Sequence, residues 1–344
     1  MWGYKRNMKE KKQFINLLRV LAAVCITNSH FANVWPVSGM ASGGMLGDVL
    51  FFAISGYCLY HSDFKFRDFG KWYIKRIRRI YVTVVLIALI TCLFTGFPET
   101  ARDWIHMFVY PTQYHFVASI MVLYIIYYIW MHFLKRWQIK IWMSGVIYSI
   151  VVLAVYCLTF DKSWYHIDAV EEHFIRFLFF GAMLIGAHIR EKTQGEDTQK
   201  ASAGHIWKNS SICIASIMIY FVIRFAVPRL ELFSVQFVTW IAILLALYCM
   251  FRWAESLELL LVRLPEKLRG VLSFIAGITL QIYLVQFPII NRFDVLPFPV
   301  NLLVITVLIL VTAISVYWLD SRIQRGIKFI LHSMEKVKGQ KKVG

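Results

Sequence analysis

Residues 14–36 read FINLLRVLAAVCITNSHFANVWP, a run apolar enough to enter a bilayer that nonetheless holds Arg19 and His30. A charged or titratable side chain within a span costs on the order of 2.5–3.5 kcal/mol even on insertion scales, so spans keep such residues mainly where they face a polar interior. Eleven positions separate the two. At roughly 100° per residue this is about three full turns, which puts both on one helical face about 16 Å apart along the axis. The spacing predicts two depths of one polar seam rather than a contacting pair.

The surrounding chain supports a membrane setting. Of its 344 residues 59% are hydrophobic and only 17% are charged, whereas a soluble domain carries about a quarter charged residues. Spans need ~20 apolar residues, and ten stretches qualify: 14–34, 43–61, 80–97, 115–134, 140–160, 174–190, 209–227, 233–252, 271–290 and 300–319. Thirty of the 37 Lys and Arg residues fall in the N-terminal segment, the C-terminal segment and the connectors after the even-numbered stretches, counting with those connectors Lys140, Arg190 and Arg252 at the stretch ends. Four (Arg102, Lys162, Arg229 and Arg292) fall in the other connectors, and Arg19, Arg176 and Arg224 lie within stretches. Such a bias sets orientation. The expectation is an all-α integral membrane protein of about ten transmembrane helices, with both termini cytoplasmic, in the cell (plasma) membrane.

The net charge of +17 is therefore assigned to topology and to the lipid bilayer rather than to nucleic acid. The six cysteines all lie in apolar stretches without a CxxC pair or ligand spacing and read as small hydrophobes, so no metal site is expected. No cleavable signal is expected at the N-terminus. Connectors are short, which predicts a single transmembrane domain over 1–344, with basic cytoplasmic tails at about 1–13 and 320–344 and no fused extracytoplasmic domain. Glu191 to Lys208 is polar and reads as a cytoplasmic loop. His106, His115, His166 and His173 flank the expected outer loops and read as interface residues.

Residues 64–80, FKFRDFGKWYIKRIRRI, interleave basic and aromatic side chains. Two readings fit: an interfacial anchor on anionic lipid, and a basic mouth for an anionic cytoplasmic ligand.

Four stretches in order resemble one family, the membrane-bound acyltransferases of the acyltransferase-3 type. They are LLRVLAAVCITNSH with its Arg and His, FFAISGY at 51–57, KWYIKRIRRIY with Arg76 and Arg79 as an RxxR, and GITLQIYLVQFPI near the C-terminus. Two positions depart from the family pattern. Gln286 stands where many members have His, and Val82 replaces a proline after the RxxR. The resemblance implies transfer of an acyl group, usually acetyl from cytoplasmic acetyl-CoA, to a sugar hydroxyl of a surface or exported glycan or lipid-linked sugar.

With the first stretch running outward, His30 lies about 9 Å outside the midplane and Asp48, on the second, about 6 Å outside its own midpoint. Asp48 is the only acid placed in a stretch, and a partner at similar depth would fix the tautomer of His30. Arg176 and Arg224 are the alternative partners for Asp48. Arg19 and Ser55 fall ~8 and ~4 Å on the cytoplasmic side. In the reading that follows, His30 is the general base on the acceptor hydroxyl and Asp48 orients it. Arg19 stabilises a donor phosphate or the developing oxyanion. Arg76 and Arg79 grip phosphates of acyl-CoA, and Ser55 lies on the donor side. An acyl-enzyme on His30 or Ser55 is left open, and Ser55-Gly56 reads equally as a small-residue helix contact. The rival function is a transporter or flippase moving an anionic solute along Arg19, Arg176 and Arg224, for which helices broken at Gly or Pro would be the signature.

Overall fold

The computed structural model describes residues 12–193 and 203–340. Nearly all of the expected N-terminal tail, residues 194–202 of the polar loop and the last four residues of the C-terminal tail lie outside the described residues. In chain order the helices are α1 Gln13–Ser29, α2 Gly44–Leu59, α3 Phe69–Thr95, α4 Ala101–Trp104, α5 His115–Arg136, α6 Ile141–Thr159 and α7 Ile175–Lys192. They continue as α8 Ala203–Arg229, α9 Val238–Ser256, α10 Glu258–Arg263, α11 Glu266–Gly277, α12 Thr279–Phe293 and α13 Val300–Gln340. Among the described residues there is no strand. In hydrocarbon a helix satisfies its backbone polar groups within its own segment.

Nine of the ten expected stretches overlap one helix each and the ninth, 271–290, is divided between α11 and α12, but fewer meet the demands of a span. Six segments are long and apolar enough to cross a membrane: Ser38–Leu59, His115–Arg136, Ile141–Thr159, Gly204–Arg229, Val238–Ser256 and Val300–Ile327. A seventh arises if α11 and α12, bent by 62° at their junction, count as one. At 17 residues α1 is only about 26 Å long, short of a ~30 Å hydrocarbon core. Helix α7 carries Arg176, Arg190, Glu191 and Lys192 among its 18 residues. The expected boundary at 319 also moves. The 41-residue α13 runs on through what was expected to be tail. Asp320, just past the expected stretch on this helix, is 5% exposed and accepts hydrogen bonds from Gln324 Nε2 at 3.1 and 2.9 Å.

The chain divides into two compact units. The first comprises residues 1–29, 42–66 and 122–277, the second 30–41, 67–121 and 278–344.

In the first unit α2 is packed between α1 and α7. A Cβ on Gly47 would come within 2.6 Å of both the Ala22 carbonyl oxygen and Ile26 Cγ1. Nine residues on, half a turn out of phase, a Cβ on Gly56 would lie 2.0 Å from the Met183 carbonyl oxygen. One on Gly186 would lie 1.8 Å from that of Ala53. Small residues let helix backbones touch, and here each of two helices supplies one glycine to the other's backbone. Phe52 stacks on Phe179 with centroids 4.3 Å apart beside this seam, and the buried Tyr127 hydroxyl donates to the Gly56 carbonyl at 3.0 Å. Gly56 therefore serves as a helix contact.

Helix α1 has no acid in its own first turn. Its first backbone amides, on Gln13 and Phe14, instead donate to the two carboxylate oxygens of buried Glu258 at 3.0 and 2.7 Å. A carboxylate there satisfies two of the orphan donors every helix start leaves, and it complements the helix dipole.

Arg224 on α8 donates through Nε to Asp168 at 3.0 Å. Both groups are shielded, with side chains 29% and 13% exposed. Asp168→Asn and Arg224→Gln should each lower the melting temperature, while the double variant recovers part of the loss. A double-mutant cycle by thermal unfolding should return a coupling of about 0.5–3 kcal/mol; strict additivity would contradict the pair. In the same unit His166 is buried between Phe160 and Trp164, with centroids at 4.5 and 4.4 Å. It is a packed loop residue and not the interface residue expected.

In the second unit α12 packs on α13 and both pack on α3. Residues 30–41 belong here and are fastened to the turn between α12 and α13. Asn33 Nδ2 donates to Asp294 at 3.3 Å, buried Asn301 donates to the Val34 carbonyl at 3.0 Å, and Trp35 packs on Phe298 at 5.8 Å.

Candidate functional site

Helix α1 stops one residue short of His30. Arg19 is helical, and His30 is the first residue past the helix. The polar run Thr27-Asn28-Ser29 supplies the reason. Ser29 Oγ donates back to the Ile26 carbonyl at 2.7 Å, and Asn28 Nδ2 donates to the Ser42 carbonyl at 3.0 Å. Side chains of this kind offer the backbone partners other than the next helical turn, and that signal was present in the sequence.

His30 is exposed. Its ring meets Phe287 of α12 edge to face, with centroids 6.0 Å apart at 83°. Immediately before Phe287 stands Gln286, 1% exposed, at the position where the resemblance leads one to look for His. One turn earlier Tyr283 packs against Phe116 at 5.7 Å. Phe287 on α12 thus flanks one side of the exposed imidazole. A neutral imidazole in such a place offers one ring nitrogen as acceptor to an incoming hydroxyl.

Arg76 and Arg79 belong to the same unit but not to a connector ahead of a span. Helix α3 is continuous from Phe69, so both lie in its third turn. Arg76 is half-buried, its guanidinium 5.6 Å from the ring centre of buried Trp72, and Arg79 is exposed. An i, i+3 pair on a helix shares one side, which suits a phosphate as well as a lipid headgroup.

Arg19, Asp48 and Ser55 belong to the first unit, and all three are half-buried. Arg19 sits one turn before Ala22 on the side of α1 that meets α2, and its Nη2 lies 3.8 Å from Cys58 Sγ at the end of α2. Asp48 and Ser55, seven residues apart on α2, lie on one side of that helix. Of the alternative partners for Asp48, Arg224 is taken by Asp168. A cavity of about 490 Å³ between α6, α7 and α9 is lined mainly by apolar side chains, including Trp142, Tyr148 and Trp240, and by none of the six candidate residues.

Glu258, Gly186 and Asp168 were not singled out from the sequence, because each acts through a partner distant in the chain. Arg190 was counted only as a topological charge.

Long apolar helices with isolated arginine, histidine and aspartate side chains set into and beside them define a multi-pass α-helical membrane protein. A family model described as an acyltransferase domain, of the acyltransferase-3 type, matches residues 12–320. The chain belongs to this family of membrane acyltransferases. No curated protein and no solved structure matches it.

Proposed function

We propose that the protein is an O-acyltransferase. It moves an acyl group, acetyl in the simplest case, from cytoplasmic acyl-CoA to a sugar hydroxyl of an exported or cell-surface glycan or its lipid-linked precursor. The observation that carries this reading is the family match over residues 12–320. In this reading the chain crosses the plasma membrane ten times, the six or seven long apolar spans being joined by shorter and more polar helices, and both termini are cytoplasmic, in keeping with the placement of the basic residues. His30 is the general base, supported by its exposure at the end of α1 and its seat on Phe287. An alcohol at its own pKa is a poor nucleophile, and a base within reach of its proton is the usual remedy. Asp48 orients His30, Arg19 meets negative charge on the donor or on the tetrahedral oxyanion, Ser55 lines the donor side, and Arg76 and Arg79 hold donor phosphates.

The test is mass analysis of cell-surface glycan from cells with and without the protein. Deletion should remove O-acyl groups, and an unchanged O-acyl content would defeat the reading.

One observation favours the second reading, a transporter or flippase for an anionic solute. The 62° break between α11 and α12 follows Gly277, and Pro288 lies within α12. Broken helices recur where transporters bind their cargo. Specific binding of CoA favours the enzyme, and solute flux without it favours transport.

A further inference from the structure

Two arginines from different helices converge on the last turn of α2. From α1, Arg19 reaches Cys58 through Nη2 at 3.8 Å. From the last turn of α7, Arg190 donates through Nη1 to the Tyr57 hydroxyl at 2.8 Å and through Nε to His61 Nε2 at 3.0 Å. Its guanidinium also lies 5.0 Å from the centre of the Tyr57 ring. Tyr57, Cys58 and His61 all belong to the end of α2 or the turn just after it, with Arg19 arriving from the α1 side of that helix and Arg190 from the α7 side.

The partners are what make this unusual. A thiol, a phenol and an imidazole accepting at Nε2 are neutral, and neither Arg19 nor Arg190 is in an ion pair among the described residues. The nearby carboxylates are engaged elsewhere: Glu255 with Arg252 at 2.6 Å and Glu191 with His188 at 3.6 Å. Half-buried cations anchored only by neutral groups retain most of their attraction for an anion. Of the five N–H donors of Arg190, the bonds to Tyr57 and His61 use two. Nη2 is uninvolved in either bond. The two bonds and the stacked ring also hold the fork in one orientation, which reduces the entropy lost when it closes on a planar or tetrahedral oxyanion.

We infer that Arg190 forms a phosphate clamp at the end of α2, backed by the neutral Tyr57 and His61 groups, that binds a phosphate of the acyl donor, with Arg19 adding positive charge across the helix. Arg190 is the specificity-determining member, and Tyr57 and His61 position it. This rests on the proposed use of acyl-CoA; it adds a site for the donor that is independent of Arg76 and Arg79. The shared chemistry is a phosphate ester, which an anionic lipid headgroup also offers, so the two sources need separating.

The experiment uses the full-length protein in phosphatidylcholine nanodiscs, titrated with CoA and with phosphate-free pantetheine. Arg190→Gln should weaken CoA binding roughly ten- to hundredfold, the range expected for hydrogen bonds to a charged group. Its melting temperature and its affinity for pantetheine should not move. In the unaltered protein, CoA but not pantetheine should protect Arg190 from phenylglyoxal, read by peptide mass mapping, and this arm needs no variant to fold. Equal CoA affinity in a folded Arg190→Gln protein overturns the clamp, as does Arg190 modification undiminished by saturating CoA. An effect of Arg190→Gln on phosphatidylglycerol binding alone also overturns it, assigning the site to lipid. If the unaltered protein binds no CoA, the donor reading itself fails and this inference with it.

Discussion

His30→Ala should lower glycan O-acylation by about 10²–10⁴-fold, the span that a positioned general base contributes, while leaving the protein at its normal level in the membrane. The second half follows from the structure. His30 lies beyond the end of α1 and is exposed, and its described ring contact is with Phe287. Removing the ring therefore leaves little buried space behind, and the stability change should stay within the few tenths of a kcal/mol typical of surface sites. Quantitative mass analysis of released glycan, alongside immunoblotting of membranes, measures both. O-acylation at the wild-type level in the variant would remove His30 from the mechanism while leaving the family activity intact.

The second large effect concerns folding. Gly186→Ala adds a methyl group 1.8 Å from the Ala53 carbonyl oxygen, and α2 cannot yield locally because Gly47 holds it against α1 on its other side. Overpacking a well-packed contact costs about 1–3 kcal/mol. A clash with backbone rather than a flexible side-chain tip belongs at or above the upper end. Gly186→Leu should leave no folded protein. Gly145→Ala on α6 is the control, since nothing lies within 4 Å of the added carbon and a helical Gly→Ala exchange gains up to ~1 kcal/mol. Size-exclusion profiles after graded heating should separate the two substitutions by about 5–15 °C. Equal melting would mean that α2 and α7 do not meet as described.

The fold class was legible because hydrocarbon leaves the backbone so few choices: long apolar runs with little charge become helices. The length of each helix was less so. Composition alone placed a boundary after Leu319, but nothing in Asp320-Ser321-Arg322 stops a helix, and α13 continues to Gln340. At the site, Arg19 and His30 could be recognised as unusual from cost alone, yet that cost does not report that α1 ends at Ser29, one residue before His30. Gly56 was visible as half of a small-residue contact, and its other half, Gly186, lies 130 residues away. Pairings such as Arg224 with Asp168 are likewise set by how helices dock, which a periodicity within one helix does not report.

The Glu258 carboxylate that receives the first amides of α1 has a consequence for synthesis. The first helix to leave the ribosome carries Arg19 and leads directly into His30, but the group that fixes its leading end is encoded some 245 residues later. A chain emerges at about 5–20 residues per second. For the tens of seconds in which α2 to α9 are being made, α1 is without its anchor. The oldest helix in the nascent protein is among the last to be locked in place, and a chain truncated before Glu258 retains Arg19 and His30 without the carboxylate that seats the helix between them.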